Sequence, residues 1–138
     1  MSDRDDASRL IDELEEHVTI PDEWTDFYDK RGPVGACYGD LRQFPRFHHR
    51  VSAAVAVLPT LPALRRSGLA ERVYVKDISR VSVALLHPEQ LFPGEHFHLI
   101  LADGVMPKAT VVRCRRIQAR CYEVGARFIT EADADDDK

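Results

Sequence analysis

The feature that most constrains the fold of this chain is a series of six short apolar stretches separated by turn-forming residues. The stretches span residues 51–58, 71–79, 81–87, 96–101, 109–117 and 121–129. Lengths of about six to nine residues are typical of β-strands, and several of the stretches alternate apolar and polar side chains. Pro93-Gly94 and Asp103-Gly104 mark turns between them. The pattern predicts an all-β fold, either a barrel or a sandwich of six strands.

The N-terminal part of the chain predicts helix instead. Over residues 7–17, Leu10, Ile11 and Leu14 recur at helical spacing among acidic residues, which indicates a short amphipathic helix. Residues 22–30 predict a further helical turn. This turn carries three aromatic residues: Trp24, Phe27 and Tyr28. Because so much apolar surface is costly in water, we expect this arm to dock on the strands or on a protein partner.

Composition divides the chain into three parts. Residues 1–40 form an acidic helical arm and a linker with several glycines, and residues 41–131 contain the strands. Residues 132–138 form an acidic tail that we expect to be disordered.

Charge is distributed very unevenly along the chain. The net charge of −4 combines −8 in residues 1–30, −4 in residues 131–138 and +8 in the residues between them. A basic centre favours an anionic ligand, although acidic ends could equally serve only to keep a basic domain soluble. A small nucleic-acid-binding barrel is a further alternative. The acidic ends would repel a long polyanion and no aromatic platform motif is present, so no nucleic-acid partner is predicted.

The cysteines and the lengths of the apolar runs indicate the cellular compartment of the protein. Three cysteines, Cys37, Cys114 and Cys121, are an odd number without tight spacing, which is typical of a reducing compartment. No apolar run approaches the roughly 20 residues that a membrane span needs. Met1 to Glu16 is acidic and lacks the apolar region of a secretory signal. We therefore expect a cytoplasmic protein.

Two polar segments are the best candidates for a binding site. Arg42 and Arg46 lie just before the first stretch, and Asp77 and Ser79 end the second. Guanidinium groups bind phosphate oxygens or the O6 and N7 acceptors of guanine, and they stack on purine faces. A carboxylate is an acceptor-only group that matches the N–H edge of guanine. The two segments therefore suit a guanine nucleotide, if the fold brings them together.

A purely structural interpretation of the same residues is open. The two arginines could be solvated or paired with Asp40 and Asp77. The Asp77-x-Ser79 pattern is equally a common turn signature after a strand, with Asp77 bonding its own backbone.

Other clusters of polar residues are weaker candidates for a functional site. His96 and His98 share a strand face, but no further ligand stands at metal-binding spacing, so no metal is predicted. The basic cluster of Arg113, Arg115 and Arg116 is interpreted as a solvated outer face. No nucleophile–base pair or phosphate-binding glycine loop is present, so the chain is predicted not to be an enzyme and to carry no cofactor.

Together the two polar segments resemble the PilZ family of cyclic di-GMP receptors. The family signature is Arg-x-x-x-Arg, then Asp/Asn-x-Ser-x-x-Gly after the first hairpin. Arg42 and Arg46 match the first part, and Asp77 and Ser79 match the second. The resemblance covers residues 41–130, and within it Gly125 and Phe128 fall as in the closing strand of the family.

The resemblance implies a six-stranded antiparallel PilZ-type β-barrel in a bacterial second-messenger receptor. Arg42 and Arg46 would hold phosphates and guanine edges, while Asp77 and Ser79 would bind the base from the barrel side. Closure of the basic segment over the ligand would move the N-terminal arm, which would pass the signal to a protein partner.

Two departures from the family pattern bear on affinity. Ser82 replaces the last glycine of the signature, and Leu41 replaces an arginine that often precedes the motif. If position 82 requires positive φ or close backbone approach, serine there would cost about 1 kcal/mol. We therefore include Ser82 in the predicted ligand-binding set and expect weakened binding. The alternative is a PilZ-like adaptor, for example in motility or pilus machinery, that has lost the ligand and acts through protein contacts.

Overall fold

The computed structural model describes residues 3–29, residue 32 and residues 47–129. Within them the chain forms one α-helix, one 3₁₀ turn and six strands. These are α1 (Asp3–Glu13), the turn Phe27–Asp29, β1 (Phe47–Val57), β2 (Ala70–Ile78), β3 (Ser82–His87), β4 (His96–Ile100), β5 (Lys108–Gln118) and β6 (Cys121–Phe128). The prediction of an all-β fold with a short N-terminal helix is confirmed, and each predicted stretch overlaps one strand. The largest difference is in β1, which begins four residues before its predicted stretch.

The six strands form one antiparallel sheet in the order β1-β2-β3-β6-β5-β4. The sheet closes on itself because β4 pairs with β1, for example through Val55 opposite Leu99. Every one of these strands therefore has two hydrogen-bonded neighbours, and none of the six presents the unpaired edge that invites aggregation.

The main core lies inside the closed sheet. Alternation along each strand sends one set of apolar side chains inward. On β2 these are Val73 and Val75, both with no exposed surface. Phe97 and Leu99 of β4 and Leu85 of β3 meet them in one continuous cluster. Burial of this cluster is the main source of stability for the sheet.

Part of the outer face of β2, β3 and β6 is also buried, because the N-terminal arm (residues 3–29) covers it beyond helix α1. Val18 and Phe27 of the arm pack on Tyr74, Leu86 and Cys121. This second layer explains why β3 is buried on both faces, as a strand covered on only one side would not be. The aromatic arm thus docks on the chain's own sheet, which is one of the two outcomes expected for it.

Helix α1 begins and ends about four residues earlier than predicted. Ile11 lies against Ala54 and Ile100, whereas Leu10 is 37% exposed and not part of the buried face. After α1 the chain contacts β2 instead of continuing as helix. Arg72 donates to the carbonyl of Leu14 at 3.4 Å, and His17 pairs with Glu71. These contacts satisfy groups at the helix end and stop the predicted last turn from forming.

The loop between β1 and β2 is held by a buried ion pair. Glu95 has no exposed surface, and Arg66 of the loop meets both its carboxylate oxygens at 2.8 Å. The amide of Phe92 also donates to Glu95 at 2.8 Å. The pair closes the end of the sheet at which β3 terminates. The sequence gives no signal for this ion pair, because the whole β2–β3 hairpin lies between Arg66 and Glu95.

In the described part of the chain, no helix combines the length and apolar character needed to cross a membrane.

Candidate ligand-binding site

The turn between β2 and β3 is built by Ser79. Its amide donates to the carbonyl of Ser82 at 2.8 Å, which closes the hairpin. Its Oγ accepts hydrogen bonds from the amides of Val81 at 3.1 Å and Ser82 at 3.0 Å. Ser79 therefore has a turn-forming role. The structural interpretation of the motif predicted a turn here but assigned its backbone bond to Asp77.

The two hydroxyls of this turn bond to each other. Ser79 Oγ lies 2.9 Å from Ser82 Oγ. Since both acceptor positions of Ser79 already take backbone amides, its proton is directed at Ser82. Within the described residues Arg120 alone among non-glycines has positive φ, so Ser82 occupies ordinary backbone space. The condition of positive φ, under which serine at position 82 would cost affinity, is therefore not met. The condition of close backbone approach to a ligand stays a prediction.

Asp77 lies at the end of β2 and is 7% exposed. It stands opposite His48 of β1 and Ala84 of β3. Burial raises the pKa of this carboxyl, while the positive charges of Lys76 and Arg50 lower it by a smaller amount. A buried carboxyl of this kind gains from a partner that supplies hydrogen-bond donors.

A β-bulge aims Asp77 at the outer face. Val75 and Ile78 both point into the core, and the pairing with β3 shifts between Val75 and Asp77. Lys76 is the extra residue, so Asp77 points outward although simple alternation from Val75 would turn it inward. Bulges of this type commonly re-aim a side chain beside a functional site.

Arg42 and Arg46 lie outside the described residues, but the ends of their segment do not. Phe47, which directly follows Arg46, pairs with Ile78 of β2. The amide of His48 donates to the carbonyl of Gly32 at 2.8 Å. Since His48 also stands opposite Asp77, the segment 33–46 leaves and rejoins the described chain beside this carboxyl.

Arg50 is a site residue that the sequence interpretation missed. Its guanidinium carbon lies 4.6 Å from the centre of the Phe27 ring, and Nη1 donates to the carbonyl of Phe27 at 3.4 Å. Burial lowers its pKa, and the charge of Asp77 acts in the opposite direction. The spacing Arg46-x-x-x-Arg50 repeats that of the predicted pair and was the available signal.

Lys76 and Glu123 connect the site to the arm. Lys76 Nζ donates to Glu123 Oε2 at 2.6 Å and lies 5.5 Å from the centre of the Trp24 ring. Burial alone would raise the pKa of Glu123, but the hydrogen bond and charge of Lys76 lower it overall. A pocket of about 180 Å³ lies between Trp24, Phe27, Arg50 and Lys76.

Other reactive side chains in the described part of the chain do not converge. No group of three or more histidine, cysteine, aspartate or glutamate side chains there has metal-binding geometry, and His96 and His98 stay a pair on β4. Burial raises the pKa of the Cys121 thiol to about 11, so it stays protonated at neutral pH.

Comparison with known families places this site in context. The PilZ domain matches residues 40–138, which is most of the chain and includes both halves of the predicted motif. No curated protein gives a significant match. PilZ domains are receptor and adaptor domains of cyclic di-GMP signalling and are not enzymes. The extent of the match shows that the chain belongs to the PilZ domain family.

Proposed function

We propose that this protein is a cyclic di-GMP receptor whose ligand site is the β2–β3 turn together with the preceding arginine segment. The ligand-binding residues in this proposal are Arg42, Arg46, Asp77, Ser79 and Ser82. The observation that carries it is the position of Asp77, a buried carboxyl beside the point where the arginine segment enters β1. The closed sheet then acts as a PilZ-type barrel in a bacterial cytoplasmic protein, and the described part of the acidic arm, residues 3–29, lies on its outside.

The chemistry of the ligand fits these groups. The N–H edge of guanine offers hydrogen-bond donors to the carboxylate of Asp77, an acceptor-only group in a largely buried position. The two arginines supply positive charge for the phosphodiesters and planar donors for O6 and N7. Cyclic di-GMP carries the guanine edges and the phosphodiesters in one small molecule. A nucleic-acid duplex does not present the N–H edge of guanine in accessible form.

The length of the arginine segment is sufficient for this role. Residues 33–46 begin after Gly32 and end before Phe47, close to Asp77 at both ends. An extended chain of this length could reach outward by roughly 20 Å and return. Arg42 and Arg46 are therefore within covalent reach of a ligand held by Asp77.

Ligand binding would be coupled to the N-terminal arm through Arg50. This guanidinium lies over the Phe27 ring of the arm and is within the electrostatic influence of Asp77. A guanine that engages Asp77 changes the charge environment of Arg50, and so the contact that holds the arm. This is the step that converts occupancy into a signal for a protein partner.

Isothermal titration of the purified full chain with cyclic di-GMP tests the proposal directly. We expect heat from the wild type and a loss of at least about tenfold in affinity for Arg46→Ala, since a charge-assisted phosphate contact is removed. Arg65→Ala is the matched control, because Arg65 is an exposed arginine in the loop at the other end of the sheet. An absence of heat at millimolar ligand would overturn the proposal.

The adaptor alternative predicts a different set of outcomes. It was motivated by Ser82 and Leu41, and it uses the aromatic residues Trp24, Phe27 and Tyr28 as a partner surface. Phe27 is only 3% exposed and packs on Tyr74, so this surface is largely occupied by the protein itself. A partner that co-purifies and is lost on Trp24→Ala, with no ligand heat, would favour the adaptor.

A further inference from the structure

Helix α1 leaves an apolar side chain uncovered beside the outer face of β4. Ile11 packs on Ala54 and Ile100, but Leu10, on the neighbouring helix face, is 37% exposed. A single surface leucine needs no explanation, because scattered apolar residues are normal on the surface of soluble proteins. Leu10 differs from such a residue because a second group of exposed apolar side chains adjoins it.

The second group lies on the turn between β4 and β5, residues 101–107. Val105 is 53% exposed and Met106 is 55% exposed, although both are apolar. The backbone of this turn is fixed by hydrogen bonds. The amide of Leu101 donates to the carbonyl of Val105 at 3.0 Å, and the amide of Val105 donates to Asp103 Oδ1 at 2.9 Å. Because the turn is already ordered, burying its apolar side chains against a partner would cost little further loss of backbone freedom.

A groove of about 370 Å³ lies between α1 and this turn. Among the described residues that line it, Asp6 alone is charged. A mostly apolar groove with large apolar side chains exposed at its rim is typical of a surface that binds another protein. The lining residues are Asp6, Ala7, Leu10, Ile100, Gly104 and Met106.

The surroundings of the groove are acidic. Helix α1 contains five acidic and two basic residues, and the turn contains one acidic residue, Asp103, and no basic one. Asp6 and Glu13 are exposed and share a side of the helix with Leu10, since residues three and four apart are neighbours on a helix surface. An apolar surface bordered by carboxylates complements one bordered by lysine or arginine. The same carboxylates are repelled by the anionic lipids of a membrane surface.

The closed sheet limits the form that a partner segment can take. Peptides often bind by adding a strand to a free sheet edge, but each of the six described strands already has two hydrogen-bonded neighbours. The groove instead offers contacts between side chains, which is how an amphipathic helix binds. Met106 suits this kind of contact, because its unbranched side chain adapts to different apolar partners.

We propose that the groove between α1 and the β4–β5 turn binds a basic amphipathic helix of a partner protein. The apolar side chains of that helix enter the groove between Leu10 and Met106. Its lysine or arginine side chains face Asp6, Glu13 and Asp103. The inference is independent of cyclic di-GMP binding, since the described residues that line the groove all lie outside the proposed nucleotide site. It gives the N-terminal arm a partner surface that is not already buried against the sheet.

Fluorescence anisotropy of the full chain with designed peptides, in the absence of nucleotide, tests this proposal. The probe is a labelled peptide of leucine and lysine, about 18 residues long and patterned as an amphipathic helix. Two further peptides serve as controls: a leucine–glutamate peptide of the same pattern, and a leucine–lysine peptide of the same composition in shuffled order. We expect the wild type to bind the probe at least about tenfold more tightly than either control. Equal binding of the three peptides, or no binding of the probe, would overturn the proposal.

Substitutions that add a carboxylate distinguish the groove from a general attraction between a basic peptide and an acidic protein. Met106→Glu and Leu10→Glu should each weaken binding of the probe about tenfold, because an apolar contact is lost although the acidic charge increases. Leu69→Glu is the matched control and should not weaken binding, since Leu69 is 76% exposed in the loop between β1 and β2. Equal affinities of Met106→Glu and Leu69→Glu would overturn the assignment of the groove.

The charge contribution and the folding of the variants are checked separately. Asp6→Asn should weaken binding of the probe about twofold and reduce its dependence on salt, because one carboxylate at the groove is removed. Met106 and Leu10 are both exposed, so their variants are expected to fold, and their melting temperatures test this.

Two further measurements identify other occupants of the groove. A wild-type dimer in sedimentation velocity that Met106→Glu dissociates would assign the groove to a second copy of the chain. Binding to phosphatidylcholine vesicles that Met106→Glu abolishes would assign it to a lipid surface. Either result would overturn the proposal of a basic protein partner, whereas a monomer that binds the probe and not the vesicles supports it. The receptor function stands apart from all of these outcomes, because titration with cyclic di-GMP tests it.

Discussion

The guanidinium of Arg50 lies 4.6 Å from the centre of the Phe27 ring, at the junction between the N-terminal arm and the first strand. Trp24 stacks on Phe27 with a centroid separation of 6.3 Å and an interplanar angle of 5°. Arg50 is also within the electrostatic field of Asp77. One cation therefore links the aromatic part of the arm to the carboxyl of the proposed ligand site. Trp24 is an intrinsic fluorescent probe at this junction.

The first prediction uses that probe. Trp24 is the single tryptophan of the chain, so its fluorescence reports on the arm alone. We expect cyclic di-GMP to shift or quench this emission, because occupancy of Asp77 alters the contact of Arg50 with Phe27. Arg50→Ala should abolish most of the response while titration calorimetry still detects binding. A full optical response in the variant would show that Arg50 does not couple the arm to the site.

The second prediction concerns the charge of Asp77. Asp77→Asn should weaken cyclic di-GMP about ten- to hundredfold, because a charge-assisted contact to the guanine N–H edge is lost. The same change should raise the melting temperature of the free protein, since burial raises the pKa of Asp77 and makes its ionised form costly.

The pH dependence of this stabilisation has a fixed sign. A carboxyl whose pKa is higher in the folded than in the unfolded state holds its proton longer when folded, so stability falls as pH rises through that interval. The advantage of Asp77→Asn should therefore grow from about pH 4 towards neutrality, measured as the difference in melting temperature from the wild type. An unchanged difference would mean that the carboxylate is well solvated or fully compensated.

The strands could be predicted from the sequence, whereas the features that aim the site could not. Alternation and turn residues locate all six strands, because those signals are local. The bulges at Lys76 and Val112 depend on the register with a partner strand, and neither residue is distinctive in itself. Simple alternation from Val75 and Val111 would turn Asp77 and Arg113 towards the core, whereas the bulges place both on the outer face.

Long-range contacts account for the other differences. The helix that carries Leu10 was expected to continue to residue 17, but Arg72 contacts Leu14 and Glu71 contacts His17 beyond the observed end of α1. The role of Arg50 depends on the docking of Phe27, which is 23 residues away in sequence. Motif spacing identified Asp77 and Ser79 as a unit, although it could not show that the Ser79 hydroxyl is engaged by its own turn.

The third prediction tests the ion pair at the other end of the sheet. Arg66→Ala leaves the carboxylate of Glu95, which has no exposed surface, without its bidentate partner. We expect a loss of about 3–5 kcal/mol in the free energy of unfolding. Arg115→Ala, which breaks an exposed pair, should cost at most about 1 kcal/mol. Urea denaturation of both variants measures the difference, and equal losses would contradict the buried role of Glu95.

The fourth prediction concerns His17, which ties the arm to β2. Hydrogen bonds with Glu71 and then Glu15 raise the pKa of this histidine. A histidine whose pKa is higher in the folded than in the unfolded state stabilises the fold at pH values below its unfolded pKa, near 6.5. This stabilisation is lost as the pH rises through the pKa of the folded state. The melting temperature of the wild type relative to His17→Gln should therefore decrease from pH 6 to pH 8.5.

Comparison with the variant is needed because other groups, His87 among them, also contribute to the pH dependence of stability. Burial lowers the pKa of His87, so its effect on stability has the opposite sign. The contribution of His87 is the same in the wild type and in His17→Gln, so it cancels in the difference between their melting temperatures. A difference that does not change with pH would show that the contact of His17 with Glu71 adds nothing to arm docking.

The last prediction concerns Ser82, the position at which the family signature has glycine. Its backbone conformation is ordinary, so serine there imposes no positive-φ strain. Its hydroxyl instead receives the proton of Ser79, 2.9 Å away, and this proton is the one that Ser79 could offer to a ligand. Ser82→Gly should free that donor and also open space beside the turn, and we expect affinity for cyclic di-GMP to rise by up to about tenfold.

Ser82→Ala separates the two contributions, because it removes the hydroxyl and keeps the Cβ atom. If competition for the Ser79 proton limits affinity, alanine and glycine should improve binding equally in titration calorimetry. If close approach of the ligand backbone is limiting, only glycine should do so. Weaker binding in both variants would mean that the Ser82 hydroxyl itself contacts the ligand, and that the departure from the family pattern at this position is an adaptation of the site.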